Sequence, residues 1–316
     1  MSLLRMRVAR VDPLTPAIRR LHLVAADGSA LPAGEPGAHI GIHVPLGERT
    51  QRRAYSLVNA SDAGNHYEIA VLHEPAGDGG SRWLHARVVG DEFDVDPPRN
   101  DFPLAAGARR HLLIAGGIGI TPILAMAGAL GASNQAFALH YVARDVASMA
   151  YHDEVAAIRC ARLWFDGGDP RRGLPLAEVI GAPDAGTHLY VCGPSGLITA
   201  TLDTARQLGW PDSALHSERF AASPPPAADA AFEVRLAASG RVLAVAADAS
   251  ILDAMIAAGL DPLYDCRRGD CGVCTVQLLD GDPDHRDICL TDDEHARGSF
   301  CPCVSRANSA CLVLDL

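Results

Sequence analysis

Cys266-Arg-Arg-Gly-Asp-Cys271-Gly-Val-Cys274 is the stretch on which the organisation of this chain turns. Its C-x4-C-x2-C spacing lets one loop wrap three thiolates around a compact inorganic core, and that core needs a fourth ligand from elsewhere. Cys303 is the expected fourth. Gly269 and Gly272 are small enough for backbone amides to come close to the sulfurs, which permits the tight loop and tunes the reduction potential by hydrogen bonding. A zinc site, the rival, usually takes its ligands as two short-spaced pairs, whereas here three come from one loop. The expectation is an iron–sulfur cluster on Cys266, Cys271, Cys274 and Cys303.

The rest of the composition agrees with reduced thiols rather than disulfides. The nine Cys are an odd number, and six of them fall within residues 266–303. Cys160, Cys289 and Cys311 read as ordinary packed thiols, as does Cys192 on structural grounds alone. The 316 residues carry a net charge of −11, and every basic residue is Arg, which argues against a general nucleic-acid binder. No apolar run reaches the roughly 20 residues of a membrane span, and Met1–Arg10 lacks the apolar core of a secretory signal, so the expected location is the cytoplasm.

Working outward from the cysteines, the chain changes character three times. Residues 1–103 read as short strands punctuated by Gly and Pro, at Met6–Val11, Ile18–Val24, His39–Val44, Tyr55–Val58, Tyr67–Leu72 and Glu92–Val95, which suggests a small antiparallel barrel. From residue 104 to 222, strands such as Ala136–Val142, Leu163–Asp166 and His188–Cys192 alternate with helices, the pattern of a parallel α/β sheet. A Pro-rich run at 223–230 reads as a semi-rigid linker. In 231–316, Phe232–Ala237 and Val242–Val245 flank a Ser239-Gly240 turn, Ser250 caps a helix through Ala258, and the cysteine loop follows. Residues 229–316 hold fifteen Asp and Glu against seven Arg, so this last domain is acidic and suited to a basic patch on another surface.

Two strand-to-turn motifs stand in the middle region. Leu112-Leu-Ile-Ala-Gly116-Gly117-Ile-Gly119-Ile-Thr121-Pro122 reads as a strand, a glycine turn and a helix start, with Thr121 placed to cap and Pro122 at the first helical position. Free amides there suit a pyrophosphate, although Pro122 stands where the third Gly of G-x-G-x-x-G would be. Tyr190-Val-Cys192-Gly193-Pro194 is the second strand running into a turn, where open α/β sheets place ligands.

Together with Arg53-Ala-Tyr55-Ser56, the order of these motifs resembles the ferredoxin–NADP reductase superfamily. The C-terminal stretch resembles the plant-type [2Fe–2S] ferredoxins, in which the last Cys precedes a Val-Ser-Arg run, as in Cys303-Val304-Ser305-Arg306. Cys301 is the ambiguity, because alternate residues of a strand point the same way. The whole chain resembles the phthalate dioxygenase reductase family. That resemblance implies three domains: an antiparallel β-barrel for flavin, a parallel α/β sheet for nucleotide, and an α+β, ferredoxin-like β-grasp domain.

The resemblance also implies roles. Arg53 would meet the phosphate of FMN, Tyr55 would lie against the isoalloxazine and Ser56 would bond near its N5. Gly79, Gly80, Ser81 and Arg82 would complete the phosphate site, and Ala70, Val71 and Leu72 would offer strand backbone to the ring edge. Pro98–Phe102 resembles a family segment between flavin and cluster. Gly116, Gly117 and Gly193 would allow close approach of NADH, with Thr121 and Cys192 flanking nicotinamide and flavin. Phe220, in Glu218-Arg219-Phe220, would lie against the flavin. Asp166 near a ribose would favour NADH, whereas Arg144 would suit a 2′-phosphate.

Nicotinamide gives up two electrons together and a [2Fe–2S] centre takes one, so a flavin must stand between them. The implied sequence is NADH to FMN to [2Fe–2S] to the terminal oxygenase of a Rieske-type aromatic dioxygenase or O-demethylase. The 13 His show no 2-His-1-carboxylate pattern, which puts the oxygen chemistry on another polypeptide. Two other readings stay open: the same electron chain serving a cytochrome P450 or an amine or carnitine monooxygenase, and a non-enzymatic flavin and iron–sulfur redox sensor.

Overall fold

The first sheet follows from alternation. In a computed structural model that describes residues 3–47, 49–59, 65–75, 77, 79–220, 229–264, 267, 269, 272–287, 289–290 and 292–316, the chain forms two compact units, Met1–Glu218 and Arg219–Leu316. The first unit opens with β1 (Leu4–Thr15), β2 (Ile18–Ala25), β3 (His39–Leu46), β4 (Arg49–Ser56), β5 (Tyr67–Leu72), the short helix α1 (Gly80–His85) and β6 (Glu92–Val95). The six strands form an antiparallel sheet in the order β4-β3-β6-β1-β2-β5. Every second residue points inward: Met6 and Val8, Leu21 and Leu23, Ile40, Ile42 and Val44, Tyr67, Ile69 and Val71, and Phe93 and Val95 share one core. One core fed by five strands means that the sheet curls around its own interior.

Strand β4 corrects the expected Tyr55–Val58. Leu57 and Val58 prolong the apolar pattern, but their amides bond to Ala38 and Glu68, outside the β3–β4 ladder, and the strand ends at Ser56. The short helix α1 at Gly80–His85 interrupts the strands, and the chain leaves it into exposed Val88 and Val89.

The second half of this unit is a five-stranded parallel sheet in the order β11-β10-β7-β8-β9. Its elements are β7 (Arg110–Gly116), α2 (Ile120–Ala132), β8 (Ala136–Ala143), α3 (His152–Ala156), β9 (Ala161–Phe165), α4 (Leu176–Ile180), β10 (Thr187–Cys192), α5 (Ser195–Gln207) and β11 (Leu215–Glu218). Strands β7 and β10 read as nearly continuous apolar runs because helices cover both faces.

The second unit contains β12 (Phe232–Leu236), β13 (Val242–Val245), α6 (Ile251–Ala257), β14 (Val276–Asp280), β15 (Pro283–Asp284), α7 (Asp292–Ala296), β16 (Ser299–Phe300), β17 (Arg306–Ala307) and β18 (Cys311–Leu314). The five-stranded sheet β13-β12-β18-β14-β16 has a parallel β12–β18 pair at its centre. Ser250 caps α6 in a reciprocal box: its hydroxyl accepts from the Asp253 amide at 3.0 Å while Asp253 answers the Ser250 amide. A core of Phe232, Val234, Leu236, Val245, Ile251, Met255, Phe300, Leu312 and Leu314 joins helix to sheet. Residues 221–228, which take in most of the linker expected at 223–230, lie outside the described residues.

Candidate functional site

The parallel sheet creates a crevice where its strand order reverses. From β7 the chain moves outward through β8 and β9, then returns to place β10 and β11 on the other side, so β7 and β10 are neighbours whose loops leave in opposite directions. Such a switch point, at the carboxyl ends of the strands, is where doubly wound sheets bind ligands. Gly116-Gly117 leaves β7 there and Cys192-Gly193 leaves β10, with Ala115 paired to Cys192.

Glycine alone fits this junction. A β-carbon on Gly119 would overlap the Cys192 carbonyl, and one on Gly116 would stand 2.5 Å from Leu197 Cδ2 and 2.9 Å from Pro194 Cδ. Gly117 adopts φ +52° and its carbonyl accepts from the buried Tyr141 hydroxyl at 3.0 Å, which holds the turn from β8. Thr121 differs from expectation. Helix α2 begins at Ile120 after a 3-10 turn, no side chain caps it, and the Thr121 hydroxyl donates back to the Ile118 carbonyl at 3.1 Å. Pro122 therefore sits at the third helical position, still within the first turn, where its missing N–H leaves no bond unmade.

Cys192 is fully buried at the end of β10. Arg144 and Asp166 follow β8 and β9, at the same edge of the sheet. The Asp166 carboxylate accepts from the Gly168 amide at 2.7 Å and closes its own turn, and Arg144 is exposed with its side chain along Gly168.

On the antiparallel sheet, β4 and α1 bring four predicted residues together. The Arg53 side chain lies across Gly80, so that a β-carbon there would stand 3.0 Å from Arg53 Cγ and Nε, and Arg82 Nη2 lies 3.6 Å from the corresponding point on Gly79. Gly79 has φ +98° and starts α1 without a side-chain cap. The Ser81 hydroxyl accepts from the Glu74 amide at 3.1 Å. Two guanidinium groups over a glycine-lined turn suit a phosphate monoester such as that of FMN.

Ala70, Val71 and Leu72 pair with Arg20, Arg19 and Ile18 of β2, and the Val71 carbonyl accepts from His85 Nε2 at 2.8 Å. Burial pushes the Tyr55 phenol up to about 12, so it stays neutral. The Ser56 hydroxyl donates to Glu218 at 3.5 Å, which joins the end of β4 to the end of β11. Phe220 belongs to the second unit.

The second unit gathers thiols. Cys274, Cys301 and Cys303 are all buried against Leu252, with Cys289 packed beside them. Contrary to the strand expected there, residues after Phe300 form a turn in which the Ser305 amide bonds to the Cys301 carbonyl at 3.0 Å. Cys301 and Cys303 nonetheless both reach Cys274, and their hydrogen bonds hold its thiol well below the usual range, while the contacts to Cys274 and Cys289, with burial, push the Cys301 thiol up. Gly269, at φ +79°, lies against Val304 and Asp287, and Gly272 also has positive φ. Converging thiols beside a glycine loop are the donor set that an iron–sulfur cluster takes. Cys266 and Cys271 lie outside the described residues.

Comparison with known proteins agrees with this arrangement. Residues 234–308 match the family model of the 2Fe-2S iron-sulfur cluster binding domain, and residues 94–215 match that of the dimethylamine monooxygenase subunit DmmA-like N-terminal domain. The chain is 47% identical over 302 residues to a vanillate O-demethylase oxidoreductase of Pseudomonas sp. strain HR199, covering 94% of both chains. It is 41% identical to the heme-dependent oxidative N-demethylase beta subunit of Ectopseudomonas mendocina, over 100% of this chain and 99% of that one. The solved structure of phthalate dioxygenase reductase, described as modular for electron transfer from pyridine nucleotides to [2Fe-2S], is 37% identical with a TM-score of 0.74, covering 100% of this chain and 98% of that one. This chain belongs to the phthalate dioxygenase reductase family.

In this member of the phthalate dioxygenase reductase family, three features escaped the motifs. Gly119 is the contact between the two nucleotide turns, and its only signal was a third Gly after Gly116-Gly117. His85 occupies a carbonyl of the flavin-side strand, and nothing in a lone His after α1 announces it. Cys289, read as an ordinary thiol, lies 3.6 Å from Cys301 Sγ.

Proposed function

We propose that this protein is the NADH-dependent reductase component of a Rieske-type aromatic O-demethylase or dioxygenase system, passing electrons through FMN and a [2Fe–2S] cluster to the terminal oxygenase. The observation that carries the reading is the alignment, over 94% of both chains, with a vanillate O-demethylase oxidoreductase, in a chain that combines an antiparallel sheet, a parallel switch-point sheet and a thiol pocket. FMN, when bound, would supply the conversion from a two-electron hydride donor to a one-electron acceptor, a division that neither nicotinamide nor cluster can make.

The chain's own residues supply orientation. Arg53 and Arg82 would hold the FMN phosphate with Gly79, Gly80 and Ser81, Tyr55 would lie against the ring, and Ala70, Val71 and Leu72 would offer backbone to its edge. Ser56, positioned by Glu218, would offer its hydroxyl near the flavin N5, and buried Cys192 with Thr121 would exclude water from the hydride-transfer site. Gly116, Gly117 and Gly193 admit the pyrophosphate, and Arg144 and Asp166 border the adenosine ribose. Cys266, Cys271, Cys274 and Cys303 ligate the cluster, and Phe220 serves the flavin. The domains in this reading are 1–103, 104–222 and 231–316. No described helix is long and apolar enough to cross a membrane, which accords with work in the cytoplasm.

The test is reconstitution. With NADH, oxygen and the oxygenase component of a vanillate demethylase, the protein supports formaldehyde release from a methoxylated aromatic acid. Electron delivery only to a heme-dependent N-demethylase would favour the second reading, which the 41% identical relative supports.

A further inference from the structure

We propose that Cys301 is a thiol donor to the ligating sulfur of Cys274, and that this hydrogen bond raises the reduction potential of the cluster. The inference rests on the cluster assigned above and concerns a residue that supplies no ligand in that assignment. Its basis is the proton inventory of one buried pocket. Cys301 is fully buried, and among the described residues its Sγ has three polar neighbours: Thr275 Oγ1 at 3.5 Å, Cys289 Sγ at 3.6 Å and Cys274, which packs with it in one buried cluster.

Two of these neighbours direct their single protons elsewhere. The Thr275 hydroxyl donates to the Gly272 carbonyl at 2.7 Å, a far better acceptor than sulfur. The Cys289 thiol faces Asp287 Oδ2 at 4.0 Å, and a buried carboxylate is the strongest acceptor within its reach. That carboxylate is fixed, because it also accepts from the Leu290 amide at 3.2 Å, the Ser305 hydroxyl at 3.2 Å and His295 Nε2 at 3.1 Å. With both neutral partners donating outward, Cys301 is the donor at its own contacts.

Of the three acceptors, only a metal-bound Cys274 sulfur carries negative charge, and a charge-assisted bond outcompetes neutral ones. Reduction of a cluster adds negative charge, so a donor aimed at a ligand sulfur stabilises the reduced form more than the oxidised form. A plant-type centre of low potential is a poor acceptor for electrons from NADH, and upward tuning is what this reductase needs. Cys301 therefore suits the cluster to its electron source, while Asp287 acts one step back as the anchor of Cys289.

The experiment uses the full chain with its cofactors and compares wild type with Cys301→Ala, Cys301→Val, Cys301→Ser and Cys303→Ser. Iron content and the low-temperature EPR signal of dithionite-reduced protein report the cluster, and a mediated redox titration reports its midpoint. The expected result is full iron and a reduced-cluster signal in Cys301→Ala and Cys301→Val with the midpoint shifted downward, recovery toward wild type in Cys301→Ser, and loss of the cluster in Cys303→Ser. An unmoved midpoint in both apolar variants, or loss of iron from both, overturns the donor role. Retention of the cluster in Cys303→Ser together with loss in Cys301→Ala makes Cys301 the ligand. A wild-type protein without any cluster would instead remove the functional reading itself.

Discussion

The Ser56 hydroxyl donates to the Glu218 carboxylate at 3.5 Å, and both residues are buried although 162 positions separate them. The bond ties the last residue of a flavin-side strand to the last residue of the nucleotide sheet. Removing the hydroxyl by Ser56→Ala leaves the phosphate site untouched. FMN content should stay at wild type while the rate of flavin reduction by NADH falls about tenfold, equivalent to ~1.4 kcal/mol of transition-state stabilisation. Stopped-flow absorbance of the flavin band measures it, and an unchanged rate removes Ser56 from the hydride step.

Gly119→Ala places a methyl group against the backbone of Cys192, where no flexible side-chain end can yield. The turns must separate, at a cost of about 1–3 kcal/mol. The expected outcome is a raised KM for NADH and a lowered Tm with FMN retained. Wild-type values for both would mean that the two turns do not share this contact in solution.

Arg53→Ala removes the guanidinium that lies across Gly80. Flavin should then be lost on dialysis, with Kd for FMN weakened at least tenfold, whereas the iron–sulfur absorption persists. Fluorescence of released flavin checks it; tight retention would assign the phosphate to Arg82 alone.

Acid should loosen the nucleotide sheet. Burial lowers His140, which accepts from Trp164 Nε1 at 3.2 Å, to about 4; burial with neighbouring His188 and His111 lowers His216 to about 4 as well. Folded protein keeps both neutral down to that pH, while the unfolded chain protonates them near about 6.5, so stability is lost as pH falls from 6.5 toward 4. The Tm drop between pH 7 and pH 5 should shrink in His140→Gln/His216→Gln, because glutamine can replace the hydrogen bonds without taking a proton. An equal drop in the double variant would place the acid sensitivity elsewhere.

The parts of the site that were legible in the sequence are those encoded locally. The C-x4-C-x2-C loop, the Gly116-Gly117 turn and the Ser250 cap each declare themselves within ten residues. Strand β4 was misplaced because Leu57 and Val58 are apolar for the core and not for the ladder. Thr121 reads as a cap because residue type alone does not show the 3-10 turn that precedes α2. The Gly119–Cys192 and Ser56–Glu218 contacts depend on which strands become neighbours, and the Cys289–Cys301 pair depends on a turn folding back, so no local pattern contains them.

The central claim is an internal path from NADH to a one-electron centre. Anaerobic titration of the purified protein with NADH, followed by visible absorbance and ended with low-temperature EPR, tests it most directly. The account predicts that flavin and iron–sulfur bands bleach together, that the released flavin is FMN and that a reduced-cluster signal remains. A colourless, zinc-loaded protein that leaves NADH unoxidised would contradict it.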